Sequence, residues 1–156
     1  MSEQARILVI DDDENITQVV AAILKDKGYS VDVASSGSEA IIKSETNHYD
    51  LMLIDIRLPD MEGTELLSRI RDTTPKIRKI IVTGYPTLQN AVTALNKNAD
   101  AYIMKPFDVE KMLATISEQL KKQKAERQFD EERVAEFIET RVKELSFEET
   151  ESALLP

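Results

Sequence analysis

Leu51-Met52-Leu53-Ile54-Asp55 decides the fold. Four apolar residues in a row are followed by a turn-rich segment, Leu58-Pro59-Asp60-Met61-Glu62-Gly63. An uninterrupted apolar run of this length reads as a strand covered on both faces, which is the habit of parallel sheets. The run ends in a carboxylate. In open α/β sheets the functional crevice lies outside the carboxyl ends of the strands. Asp55 is therefore expected at the tip of a central strand, and the reading turns on what meets it there.

Upstream, Ile7-Leu8-Val9-Ile10 is a second buried-strand run, stopped by Asp11-Asp12-Asp13. Ile16, Val19, Val20, Ile23 and Leu24 then mark one face of a helix, with Gly28 just past its end. Tyr29 to Ala34 is a strand with Val31 and Val33 in alternation, which suits a sheet edge. Ser36-Gly37-Ser38-Glu39 matches a capping box and opens the next helix. Downstream of Asp55, Leu66, Leu67 and Ile70 mark a helix that fails before Pro75. Lys79 to Thr83 is a fourth strand, and Ala91, Val92, Ala94 and Leu95 mark a helix after it. Ala101-Tyr102-Ile103-Met104 is a fifth strand ending at Lys105-Pro106. Asp108 is placed to cap a last helix bearing Met112, Leu113, Ile116 and Leu120. Strands alternating with helices imply a doubly wound α/β domain with right-handed crossovers. Periodicity leaves the strand order open.

Composition narrows the chemistry. The chain has 156 residues, a formal net charge of -9, no cysteine and one histidine, His48. Thiolate chemistry and a disulfide framework are excluded. So is any histidine pair within one chain. The acidic balance argues against attraction to nucleic acid or anionic membrane. No apolar run approaches the roughly 18 residues of a membrane span, and the N-terminus lacks a signal-peptide layout. A cytoplasmic location follows as the expectation.

Taken singly, the residues at the strand ends have ordinary readings. An Asp after a strand is a turn former or helix cap, and Asp13 keeps that role. Thr83 is a good β-former and a lone Lys is a surface charge. The combination is less ordinary. Strand one ends in Asp11 and Asp12, strand three in Asp55, strand four in Thr83 and strand five in Lys105. Clustered carboxylates repel, and a hard dication such as Mg²⁺ relieves this through oxygen ligands while keeping waters. A carboxylate can attack phosphorus to form an aspartyl phosphate. Such transfer needs positioning and positive charge, which a lysine, a metal and a hydroxyl donor supply.

With these motifs in place, the chain resembles the receiver domain of two-component response regulators, of the chemotaxis (CheY-like) type. The residues that carry the resemblance are Val9-Ile10-Asp11-Asp12-Asp13, Leu53 through Gly63, Val82-Thr83-Gly84-Tyr85 and Lys105-Pro106-Phe107. It covers roughly Gln4 to Lys121. It implies a flavodoxin-like, five-stranded parallel sheet in the order 2-1-3-4-5, with helices on both faces and, here, a long C-terminal helix. It also implies roles. Asp55 would be the phosphoacceptor. Asp12, Asp55 and the backbone carbonyl of Arg57 would bind Mg²⁺, with Asp11 helping through water. Lys105 would pair with the phosphoryl group, across a cis bond to Pro106. Thr83 would hydrogen-bond a phosphoryl oxygen, and Tyr102 would be the aromatic that turns inward with it. Arg57 and Tyr85 stand where side chains gate water, so a bulky Tyr85 is expected to slow hydrolysis of the acyl phosphate.

The implied function is a phosphorylation-controlled switch. A sensor histidine kinase would donate in trans, because His48 lies far from the strand ends and reads as a surface residue. The output would be a protein target met through a changed surface. The chain would be no enzyme toward other substrates, catalysing only its own phosphorylation and dephosphorylation. Competing readings are a phosphorelay shuttle with no output, a haloacid dehalogenase type hydrolase and a flavin carrier. The hydrolase needs an Asp where Arg57 stands. The flavin carrier needs a hydroxyl- and glycine-rich loop where Asp11-Asp12-Asp13 stands.

After Leu120 the chain is polar, then Phe129, Val134, Phe137, Ile138, Val142 and Leu145 resume an apolar spacing without glycine or proline. A helix leaving the domain is expected. The division is 4–121 receiver, 122–147 helical extension and 148–156 disordered tail. Unbroken to Phe147, that helix would run about 58 Å. The extension reads as a dimer seam, a docking helix, a linker to further sequence or a stretch with no role. It is short and acidic, so no direct DNA binding is expected, and no membrane contact.

Overall fold

The computed structural model describes residues 4–71, 73, 76–84, 99–106 and 108–154, with side chains as far as Ser146. Five parallel strands form one sheet in the order β2-β1-β3-β4-β5. They are β1 (Arg6–Ile10), β2 (Ser30–Ala34), β3 (Leu51–Asp55), β4 (Arg78–Thr83) and β5 (Ala101–Met104). The described helices are α1 (Glu14–Asp26), α2 (Gly37–Thr46), α3 (Gly63–Arg69) and α4 (Val109–Leu154). The expected helix through Ala91 and Leu95 lies outside the described residues, as do Tyr85 and Phe107.

The apolar runs form strands because the sheet is covered on both faces. Side chains alternate in direction along a strand. In β3, Leu51 and Leu53 enter one core, while Met52 and Ile54 enter the other. β1 splits the same way, with Ile7 and Val9 opposed to Leu8 and Ile10. One core is closed by Val20 and Leu24 of α1 with Met112 and Ile116 of α4. The other is closed by Ala40 of α2 with Leu66 and Leu67 of α3. β3 is buried at all five positions, as a central strand should be. β2, at the edge, is buried only at Ala34.

The helix ends follow their local chemistry. Asp13 caps α1, accepting from the backbone N–H groups of Asn15 (2.9 Å) and Ile16 (3.4 Å). Gly28 follows that helix at φ +94°. Ser36 caps α2 by accepting from the Glu39 N–H at 3.1 Å. The reciprocal half of the box is displaced by one residue, since Glu39 accepts from the N–H and hydroxyl of Ser35. Asp108 accepts from the Lys111 N–H at 3.2 Å, at the start of α4.

The chain divides into two compact units, Met1–Gln123 and Lys124–Pro156. Within the first, Gln119 and Gln123 of α4 are buried. The side-chain amide of Gln123 donates to the carbonyls of Asp50 and Lys76, both at 2.9 Å. The second is helical through Leu154. Its Phe129, Val134, Phe137, Ile138, Val142 and Leu145 are all exposed. Its ion pairs, such as Arg127–Glu131 and Lys143–Glu139, join successive turns of the helix. No helix among the described residues is long and apolar enough to cross a membrane.

Candidate functional site

The parallel sheet brings the ends of β1, β3, β4 and β5 to one edge of the first unit. Asp11 follows β1 directly. Its N–H donates to the Ala34 carbonyl at 3.1 Å, extending the β1–β2 ladder by one bond. Its Oδ1 accepts from the Asp13 N–H at 3.0 Å, so its orientation is set by the same turn that caps α1. Asp55 is the last residue of β3, in register with Val82 of β4. Asp11 and Asp55 are buried, whereas Asp12 is exposed. Carboxylate oxygens of all three lie within 4.8 Å of one another.

Lys105, just past β5, reaches this cluster from the far side. Its Nζ stands 2.9 Å from Asp11 Oδ2 and 3.5 Å from Asp55 Oδ1. Its N–H donates to the Thr83 carbonyl at 2.7 Å, so the ends of β4 and β5 are tied where the ammonium departs. The Lys105–Pro106 peptide is cis, as expected. Thr83 is fully buried at the end of β4. Tyr102 is half-buried against the core under α2 and α3. Its hydroxyl is buried with no hydrogen-bond partner among the described residues.

Arg57 lies in the loop after β3, its side chain exposed and its backbone bridged to Glu62. Gly63 closes that loop, donating its N–H to the Ile56 carbonyl at 2.7 Å. A Cβ on Gly63 would stand 2.3 Å from the Asp55 carbonyl oxygen, so a side chain there would push α3 away from the strand end. His48 is away from this cluster, 3.4 Å from Asp50 before β3.

The electrostatics are those of a crowded acidic site. Burial, and then the Asp11 charge, push the Asp55 carboxyl above its usual range. Lys105 and the Arg57 N–H pull against this without overcoming it. Burial works against the Lys105 ammonium, but its hydrogen bond to Asp11 and the charges of both aspartates hold its pKa above the usual lysine value. The site therefore holds more negative charge than one ammonium balances. Three hard oxygen donors around such a deficit suit a dication with retained waters, and the residues present fit one.

Two structural residues, one beside the site and one at the other end of the sheet, are not legible in the sequence. Asp60 accepts from the N–H groups of Gly37 and Ser38, both at 2.9 Å, and from the Ser38 hydroxyl at 2.7 Å. Gln123 sits in a run that reads as solvated, and only its burial shows what it does. A carboxylate in a turn and a glutamine in a polar helix carry no distinguishing signal.

Comparison with known proteins agrees with this geometry. The family model for the response regulator receiver domain matches residues 7–117. The chain is 40% identical over 118 residues to the transcriptional regulatory protein ZraR of Klebsiella oxytoca, covering 76% of this chain and 27% of that one. It is 39% identical over 111 residues to the transcriptional regulatory protein DltR of Streptococcus agalactiae, covering 71% of this chain and 50% of that one. Among solved structures it is similar to a CheY-like receiver domain protein of Methanospirillum hungatei. That likeness has a TM-score of 0.76 and 45% identity, over 80% of this chain and 99% of the other. The chain thus spans from about a quarter to half the length of these curated relatives.

The relatives correct one expectation. Both are named transcriptional regulatory proteins, which points to DNA-binding output and overturns the expectation of no direct DNA binding. That expectation rested on the length and acidity of the residues after 121. Those residues do not delimit what such a protein binds, because the relatives extend far beyond the stretch they share with this chain. The match over most of the chain, the sheet order and the acidic strand ends together place it in the response regulator receiver domain family of two-component systems.

Proposed function

We propose that this chain is a phosphorylation-controlled switch whose phosphoacceptor is Asp55. The observation that carries the reading is the meeting of Asp11, Asp12 and Asp55 with the Lys105 ammonium at one end of the sheet. A partner histidine kinase would supply a phosphohistidine. Its P–N bond breaks as a bond forms between an Asp55 carboxylate oxygen and phosphorus, and the departing imidazole takes a proton from water. Asp12, Asp55 and the Arg57 carbonyl would hold Mg²⁺, with Asp11 acting through water. The ion would offset charge on the transferring oxygens. Lys105, already 3.5 Å from Asp55, would follow the charge onto the phosphoryl group. Buried Thr83 would donate its hydroxyl to a phosphoryl oxygen, and Tyr102 would answer from the adjacent strand. Hydrolysis would return Asp55 as a carboxylate, so the chain is no enzyme toward other substrates. A cytoplasmic location belongs to the same reading.

The test is phosphorylation of the purified chain by acetyl phosphate with and without Mg²⁺, followed by mass spectrometry. One phosphoryl group, Mg²⁺-dependent and absent in Asp55→Asn, is expected. Label of equal stoichiometry in Asp55→Asn would overturn the assignment.

A further inference from the structure

The loop that carries Arg57 is fixed at both its base and its tip. At the base, Arg57 bridges to Glu62 and the Gly63 N–H donates to the Ile56 carbonyl. Between them, the Leu58 N–H donates to the Met61 carbonyl at 3.1 Å. These bonds shape the loop on itself, the Ile56 N–H ties its base to the Val82 carbonyl of β4 at 3.0 Å, and the placement of its tip is left to other contacts. The tip reaches outward to the first turn of α2. Asp60 Oδ1 takes the Gly37 N–H, and Oδ2 takes the Ser38 N–H and hydroxyl. Beside it the Met61 side chain lies where a Cβ of residue 37 would be, 2.5 Å from Sδ, so Gly37 makes room for the same contact. Met61 also packs on the core under α2 and α3.

We infer that Asp60 is a positioning residue for the acidic site, clamping the Arg57 loop to the N-terminus of α2. This rests on the function proposed above. The first turn of a helix offers unpaired N–H groups and a favourable field for an anion. Both Asp60 oxygens are satisfied there, and those bonds hold its carboxyl well below the usual range, at about 2. α2 in turn begins three residues after Ala34, whose carbonyl receives the Asp11 N–H. The first turn of α2 is thus linked to the Asp11 side of the site through Ala34 and to the Asp55 side through Asp60. Loss of Asp60 would free the loop tip and let the Arg57 carbonyl wander relative to Asp12 and Asp55. Residues that orient a metal site from outside it typically contribute about 10–100-fold in affinity.

The test compares Asp60→Ala with Ser36→Ala in the full chain. Ser36→Ala removes a cap from the same helix but leaves the loop alone. Mg²⁺ affinity is read by calorimetry and by backbone amide NMR, with thermal melting recorded in chelator. Asp60→Ala should raise the Mg²⁺ Kd about tenfold, and Ser36→Ala should leave it unchanged. Excess Mg²⁺ should restore the phosphorylation rate of Asp60→Ala. Should that variant not fold, Asp60→Asn keeps an oxygen for Gly37 and should give an intermediate Kd. A wild-type Kd in Asp60→Ala, or equal losses in both variants, would reduce Asp60 to a helix cap. A wild-type chain with no Mg²⁺ affinity would overturn the proposed function itself, and this inference with it.

Discussion

The two units of the chain treat the same kind of residue in opposite ways. In the first, Met112 and Ile116 of α4 are fully buried between α1 and the sheet. In the second, Phe137 and Ile138 of that helix are 71% and 55% exposed. The first unit is held by contacts between residues far apart in sequence, such as Lys105 with Asp11. The second is held by hydrogen bonds and ion pairs three or four residues apart. Local pairs stabilise a helix by only a few tenths of a kcal/mol each. Burial of a large apolar side chain contributes several times more. The lesson is that one helix can be specified by tertiary packing over one part and by local propensity over another.

Substitutions that are alike in chemistry but placed in different units test this contrast most severely. Ile116→Ala should cost about 2–5 kcal/mol in urea unfolding, because it opens a cavity in a filled core. Ile138→Ala should stay within about 0.5 kcal/mol. A comparable loss at Ile138 would mean that a partner covers the second unit in solution. Next in size is the metal. At a Mg²⁺ concentration 100 times its Kd, the first unit should gain about 2.7 kcal/mol, and Asp12→Ala should remove most of that gain. Gln123→Ala should cost about 1–3 kcal/mol, because the Lys76 carbonyl loses this donor and the Asp50 carbonyl keeps only the Arg78 N–H. Equal stability of wild type and this variant would move the edge of the first unit back toward Leu120. Glu131→Gln, which breaks a pair with Arg127, should cost no more than about 0.5 kcal/mol and less in high salt.

The smallest effect concerns acid. Ser35 bonds to the Glu39 carboxylate, with lesser help from Lys43, and holds its pKa below the ordinary 4.5. A depressed carboxylate stabilises the fold above its unfolded pKa and loses that contribution as pH falls through the folded value. Chelated Glu39→Gln should therefore show a shallower stability loss than wild type below about pH 4.5, with the two curves parallel at neutral pH. Parallel curves throughout would mean that the Ser35 bonds do not persist in solution.

Much of the site is legible in the sequence. Asp11, Asp12, Asp55, Thr83 and Lys105 each end a strand or follow one, and a parallel sheet must bring such ends together. Asp60 stands in the turn after β3, where the sequence names no partner for it. An aspartate in a turn has many local uses, and its bonds to Gly37 and Ser38 join segments with no sequence relation. The expected helix around Ala91 and the gate at Tyr85 lie outside the described residues.

What the sequence determined by itself is what depends on near neighbours. Strand runs, helix faces and the caps at Asp13, Ser36 and Asp108 are short-range, because they arise from side-chain period and from backbone groups three or four residues away. The tertiary structure decided which of two chemically similar stretches is buried. Gln123 and Gln128 stand in the same polar run, yet only Gln123 finds two carbonyls from distant loops and leaves solvent. It also decided that Lys105 stands between Asp11 and Asp55, 94 residues along the chain from Asp11. Such pairings are set by the packing of whole elements, and no local pattern encodes them.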